Sequence, residues 1–198
     1  MAYSIVAIGT SWGGLMAMSQ LLGALPADFS IPIVMVQHRG KGADRLLSEL
    51  LQDVTPLTVC EIEDKDNLEA GRVHVAPADY HVLVERGSLT LTIEDAVRYS
   101  RPSIDVLFTS VGDTYGREAI GVVLTGANED GARGLAHIVR RGGKALIQSP
   151  KSAEIPIMPE AAIRAVPTAE VLPLAQLSER LIELSHEKVN VLAARRAL

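Results

Sequence analysis

The stretch Ser4-Ile5-Val6-Ala7-Ile8-Gly9-Thr10-Ser11-Trp12-Gly13-Gly14 decides the fold class. Its apolar run lacks the alternation of a half-buried strand, so it reads as a strand covered on both faces, as in a parallel sheet. A glycine-rich turn follows, and Leu15 to Leu22 then reads as a helix. Strand, tight turn and helix in that order open a βαβ unit. A serine flanked by glycine at −2 and +2 on such a turn is one way to hold a nucleophile. The glycines keep the turn sharp and let backbone N–H groups approach a substrate oxygen. The same kind of turn can cradle a phosphate at a helix N-terminus, so the motif alone leaves two readings open.

Working outward, Gly23 and Pro26 end the first helix. Ile31 to Gln37 is a second strand, with Pro32 tolerated near its start. Residues 43–53 form a second helix with Leu46, Leu47, Leu50 and Leu51 on one stripe, and Leu57 to Ile62 is a third strand. The middle changes character. Val73–Pro77, His81–Val84 and Leu89–Ile93 are short strand-like runs, with Glu85-Arg86-Gly87-Ser88 as a hairpin turn. The expectation is a small antiparallel excursion inserted in an α/β chain. The parallel pattern then resumes with a helix over 103–115, a strand over Ala119–Leu124, a helix over 131–140 and a strand over Lys144–Gln148. A last helix runs from about 174 to 186. The predicted fold is therefore α/β: a doubly wound, mostly parallel, Rossmann-like sheet with an inserted antiparallel β-hairpin. Residues 1–190 read as one domain, and 191–198 as a tail expected to fray.

Composition agrees. The chain has 198 residues, 47% hydrophobic but only 4% aromatic, so its core must be aliphatic. The net charge is −5 and no basic stripe emerges, which argues against nucleic acid as a partner. No apolar stretch reaches the roughly 18 residues that span a bilayer, and no basic-then-apolar leader opens the chain. The expected compartment is the cytoplasm. The single Cys60 lies in Leu57-Thr58-Val59-Cys60 and reads as a small core residue.

A serine nucleophile needs a base within reach and a carboxylate to orient that base. The chain has five histidines. His186 and His137 lie on predicted helices, His74 falls inside a hairpin strand, and His81 opens the next strand, where it is expected to be exposed. His38 stands apart, directly after the second strand, as Ser11 follows the first. Consecutive strands joined by one crossover are usually neighbours, roughly 4.8 Å apart, so the two side chains can meet above the sheet edge. The carboxylate candidate is Asp130 in Val122-Val123-Leu124-Thr125-Gly126-Ala127-Asn128-Glu129-Asp130-Gly131, again a strand opening into a glycine loop. Its structural alternative is the N-cap of helix 131–140, and Glu129 competes for the orienting role. The order Ser…His…Asp differs from that of the α/β-hydrolases. No His/Cys/Asp cluster has zinc-like spacing, so neither a metal nor a cofactor is expected.

Taken together, Gly9–Gly14, Val36-Gln37-His38, Arg101-Pro102-Ser103-Ile104-Asp105-Val106-Leu107-Phe108 and Leu124–Gly131 resemble the signatures of the CheB protein-glutamate methylesterase catalytic domain. His74–His81 and Met158-Pro159-Glu160-Ala161-Ala162 are similar to further blocks of that family, in the same order and over nearly the whole chain. The resemblance implies hydrolysis of methyl esters on glutamate side chains of methyl-accepting chemotaxis receptors, with glutamine deamidation in some members. It implies Ser11 as nucleophile, His38 as base and Asp130 as orienting acid. Backbone N–H groups near Trp12 and Ala127 would stabilise the oxyanion, with Gly13 also contacting substrate. The substrate would be a helical receptor segment, with Arg101, Arg39 and Arg98 as candidates for attracting it.

Three departures from the family pattern stand out. Trp12 replaces a frequent threonine, and Ala127 a frequent methionine. The signature also begins at residue 4, so a receiver domain is not expected and regulation would fall to a separate protein. The alternatives are a nucleotide-binding module and a non-catalytic scaffold. Against the first, G-x-S-x-G-G is not the G-x-G-x-x-G spacing, and His38-Arg39 stands where an acidic residue is needed.

Overall fold

The computed structural model describes residues 3–40 and 46–196. Seven strands form one parallel sheet: β1 (Ile5–Thr10), β2 (Ile33–Gln37), β3 (Thr58–Glu61), β4 (Arg72–Val75), β7 (Ala119–Val123), β8 (Lys144–Gln148) and β9 (Glu170–Leu172). Their spatial order is β3-β4-β2-β1-β7-β8-β9. A separate antiparallel hairpin pairs β5 (His81–Glu85) with β6 (Ser88–Thr92). The helices are α1 (Gly14–Gly23), α2 (Leu46–Gln52), α3 (Ile104–Tyr115), α4 (Ala132–Arg140), α5 (Ile157–Ala165) and α6 (Leu174–Arg196).

The pleat sorts β1 side chains onto two cores. Ile5 and Ala7 join the cluster that includes Leu107 and Phe108 of α3 and Leu135 and Ile138 of α4. Val6 and Ile8 join the cluster that includes Met18 and Leu21 of α1 and Leu177 and Leu181 of α6. All six β1 residues are buried, which is why the opening run shows no alternation. From β1 the chain adds β2, places β3 at the sheet edge and returns β4 between β3 and β2, then crosses to β7, β8 and β9 on the other side of β1. That reversal puts the carboxyl ends of β1, β2 and β7 at the topological switch point, where open α/β sheets place their sites.

The doubly wound sheet and the inserted hairpin match the sequence reading, with corrections. β4 is not part of the antiparallel excursion. It pairs in parallel with both β2 and β3, and its apolar residues are buried in the main sheet. His74 therefore sits in a central strand. Residues 43–45 of the expected second helix lie outside the described residues. Of its leucine stripe Leu51 is fully buried, whereas Leu46 and Leu50 are exposed, because a helix near the sheet edge covers little. Cys60 is half-buried, with Sγ 3.6 Å from His74 Nδ1, and burial pushes its thiol pKa up. α5 and β9 had no sequence signal strong enough to predict. The expected domain end at residue 190 falls within α6.

Candidate active site

The turn after β1 is held from three sides. The Ser11 N–H donates to Thr125 O at 3.0 Å, and the Thr125 hydroxyl donates to Trp12 O at 3.0 Å. Gln37 Nε2 donates to Ser11 O at 2.8 Å, and the Gly14 N–H donates back to the same carbonyl at 2.9 Å. Gly13 adopts φ 76°, a left-handed conformation that favours glycine, and a Cβ there would lie 2.7 Å from Glu154 Oε2. The packed turn leaves Ser11 half-buried at the start of α1. Among the described residues the N–H groups of Trp12, Gly13 and Ala127 have no protein acceptor. Those of Trp12 and Gly13 lie at the N-terminus of α1, whose N-cap is Gly13, a favourable place for negative charge.

His38 leaves β2 with its N–H bonded to Thr10 O at 3.1 Å, and its ring reaches across the switch point. Nε2 bonds Asp130 Oδ2 at 2.8 Å, and Nδ1 lies 3.2 Å from Asn128 Nδ2. No hydrogen bond joins Ser11 Oγ to His38 among the described residues, so the ring is oriented before the nucleophile engages it.

Asp130 is fully buried and accepts from five donors: His38, the Ser103 hydroxyl, and the N–H groups of Ile104, Asp105 and Gly131. Burial by itself raises its pKa. The hydrogen bonds from His38 and from the Ile104 and Asp105 N–H groups outweigh that and hold it below the usual carboxylate range. The structural alternative for Asp130 is thereby corrected: Gly131 is the N-cap of α4, and the carboxylate serves the N-terminus of α3. Ser103 caps α3, accepting from the Val106 N–H at 3.4 Å, and its own N–H donates to His81 Nδ1 at 3.1 Å. His81 is thus buried, not exposed as expected, because it braces the segment that positions Asp130. Glu129 points away, into ion pairs with Arg98 and Arg164.

A cavity of about 590 Å³ opens beside His38, walled by Asp79, Asp95, Tyr99, Arg101 and Pro102. The arginines considered for attracting a substrate are already committed. Arg101 donates to Asp79 at 2.8 Å and to the Ile93 and Glu94 carbonyls at 2.8 and 3.0 Å, bracing the cavity wall. Arg39 pairs with Glu61 at 2.5 Å, and Arg98 with Glu129 at 3.5 Å. Trp12 is 66% exposed, and its indole N–H donates to Glu154 Oε1 at 3.1 Å. Sequence reasoning missed Asn128, Gln37, Thr125 and Ser103 as site residues. Asn128 and Ser103 carried local signals, since an Asn two residues before a backbone N–H commonly closes an Asx turn and a Ser at a helix start commonly caps it.

The chain matches the family model described as CheB methylesterase over residues 6–181. It is 42% identical over 191 residues to a Leptospira interrogans chain described as a protein-glutamate methylesterase/protein-glutamine glutaminase, covering 96% of this chain and 99% of that one. It is 40% identical over 182 residues to the protein-glutamate methylesterase FrzG of Myxococcus xanthus, covering 91% of this chain and 54% of FrzG. It therefore spans about half the length of FrzG and nearly all of the Leptospira relative. The crystal structure of the Thermotoga maritima CheB methylesterase catalytic domain superposes with a TM-score of 0.88 at 31% identity, covering 93% of this chain and all of that one.

Proposed function

Since the chain belongs to the CheB methylesterase family, we propose that Ser11, His38 and Asp130 form the catalytic triad of a protein-glutamate methylesterase. The observation that carries the assignment is the 2.8 Å bond from His38 Nε2 to the buried Asp130, made above the turn that presents Ser11. His38 takes the Ser11 proton on the ring nitrogen that Asp130 does not hold, and Oγ adds to the glutamyl ester carbonyl. The N–H groups of Trp12 and Ala127, with Gly13 beside them, receive the oxyanion. Losing one such donor typically costs about 10²–10³ in rate. The intermediate collapses, the C–OCH₃ bond breaks, and His38 returns the proton so that methanol leaves. Water then attacks the acyl-enzyme by the same route in reverse, freeing the glutamate carboxylate and Ser11. On glutamine the same steps release ammonia, the second activity named for the Leptospira relative.

The substrate we propose is a helical segment of a methyl-accepting chemotaxis receptor, which would place the reaction in the cytoplasm. Trp12, Leu15, Met16 and Ile157 are exposed on the turn after β1 and at the starts of α1 and α5, and offer apolar surface to such a segment. Among the described residues no helix is long and apolar enough to cross a membrane. Arg101 contributes by holding the cavity wall beside His38. The test is methanol release from a methyl-esterified receptor peptide by wild type and Ser11→Ala. Turnover by wild type and a loss on the order of 10⁶-fold in the variant are expected. A variant that keeps its turnover, or a folded wild type that releases no methanol, defeats the proposal.

A further inference from the structure

Asn128 makes two hydrogen bonds that together constrain His38. Its Oδ1 accepts the Asp130 N–H at 3.0 Å, which fixes which way the amide faces. Nδ2 is thereby turned to His38 Nδ1 at 3.2 Å. An amide NH₂ can only donate, so Nδ1 must be the acceptor. A neutral imidazole has one N–H, which is left on Nε2, where Asp130 Oδ2 receives it at 2.8 Å. Trp12, next to the nucleophile, has no hydroxyl to offer the ring, and its indole N–H is spent on Glu154.

We infer that Asn128 is a positioning residue for the reaction: its amide holds His38 in the Nε2–H tautomer and keeps the Nδ1 lone pair unprotonated until the Ser11 hydroxyl takes its place. Of the two ring bonds, the one to Asn128 is longer and joins neutral groups, whereas the one to Asp130 is charge-assisted. The Asn128 bond is therefore the one that yields when the Ser11 proton is transferred. A proton on Nδ1 would face the amide donor-to-donor, so the contact selects the Nε2–H form of the neutral ring. The consequence for turnover rests on the esterase reading, but the ring state does not.

Asn128→Asp separates this role from a structural one. The carboxylate keeps an acceptor for the Asp130 N–H but replaces the donor facing Nδ1 with an acceptor. Among the described residues the other charged groups around His38 are Asp130, on the loop of Asn128, and Arg39, Asp79, Asp95 and Arg101 at the cavity, with Arg39 held by Glu61 and Arg101 by Asp79. The substitution leaves all of these in place. The experiment is ¹⁵N NMR of histidine-labelled protein, with the His38 signal assigned by its loss in His38→Gln. The Nε2–H pattern is expected in wild type, with Nδ1 protonated in Asn128→Asp. In methyl-ester turnover, the acid limb of kcat/KM should move to higher pH in Asn128→Asp by roughly 1 unit or more. Asn128→Ala should lower kcat on the order of 10²-fold with KM little changed. A wild-type tautomer and an unshifted acid limb in Asn128→Asp would overturn the inference, reducing Asn128 to a turn residue. If Asn128→Ala fails to fold, Asn128→Asp still decides. If no variant and no wild type turns over ester, the esterase reading falls while the NMR result still judges Asn128.

Discussion

Asp130→Asn tests the centre of the site because one carboxylate joins its chemistry to the fold. The side chain is fully buried, with Oδ1 accepting from Ser103, Asp105 and Gly131, and Oδ2 from Ile104 and His38. An amide has one oxygen. In the better orientation that oxygen replaces Oδ1, and the NH₂ then faces the Ile104 N–H and His38. One buried backbone donor is stranded, at about 1–3 kcal/mol. The negative charge at the α3 N-terminus is also lost, at about 0.3–1 kcal/mol. The opposite orientation abandons more donors. A destabilisation of about 1–4 kcal/mol is therefore expected at pH 7, read from urea unfolding. The His38 Nε2–H then loses its acceptor while Asn128 still donates to Nδ1, so the ring is no longer held in the tautomer and orientation in which Nδ1 serves as the base. Methyl-ester turnover should fall about 10⁴-fold, as for other triads given the wrong tautomer. The acid side gives a second check. The folded pKa of Asp130 is depressed, so its stabilisation is full above the unfolded value, near pH 4, and fades as pH falls through the folded value. The stability gap between wild type and variant should narrow on acidification below that point. Equal unfolding midpoints at pH 7, a gap that widens in acid, or turnover above one-tenth of wild type would each refute the reasoning.

Three further outcomes follow from single contacts. A Cβ on Gly126 would sit 2.6 Å from Met158 Cε and 3.0 Å from Ser11 Cβ. Gly126→Ala should thus displace the nucleophile and lower kcat on the order of 10²-fold in a folded protein; full activity would show that the turn absorbs the methyl. Trp12→Ala removes an exposed side chain, so its unfolding free energy should stay within about 0.5 kcal/mol of wild type. Its KM for a receptor peptide should rise with kcat little changed, and an unchanged KM would remove Trp12 from the docking surface. Arg101→Lys keeps the charge but loses the fork that holds Asp79 and the Ile93 and Glu94 carbonyls. A loss of about 1–2 kcal/mol in urea unfolding is expected, and wild-type stability would mean that the wall needs no clamp.

What the sequence determined by itself was local. An unbroken apolar run means a strand covered on both faces, whatever covers it, so β1, β2 and β7 were legible from Ile5, Ile33 and Ala119 onward. Glycines at the ends of β1 and β7, and the end of the second strand before His38, marked where side chains leave the sheet, and so Ser11, His38 and Asp130 stood out as candidates before any contact was known. Tertiary structure decided what those residues touch. Val73–Pro77 read as a hairpin strand because so short a run cannot declare its partners; pairing with β2 and β3 made β4 a central parallel strand. The N-cap alternative for Asp130 assumed that its own helix was nearest, but the fold brings the N-terminus of α3 against it. His81 looked exposed by position, yet packing against Ser103 buries it. The His38–Asp130 bond spans 92 positions of sequence, and Asn128 matters only because that bond exists. Periodicity and turn chemistry are set within a few residues, whereas hydrogen-bond partners across the switch point are set by strand order, which no local pattern encodes.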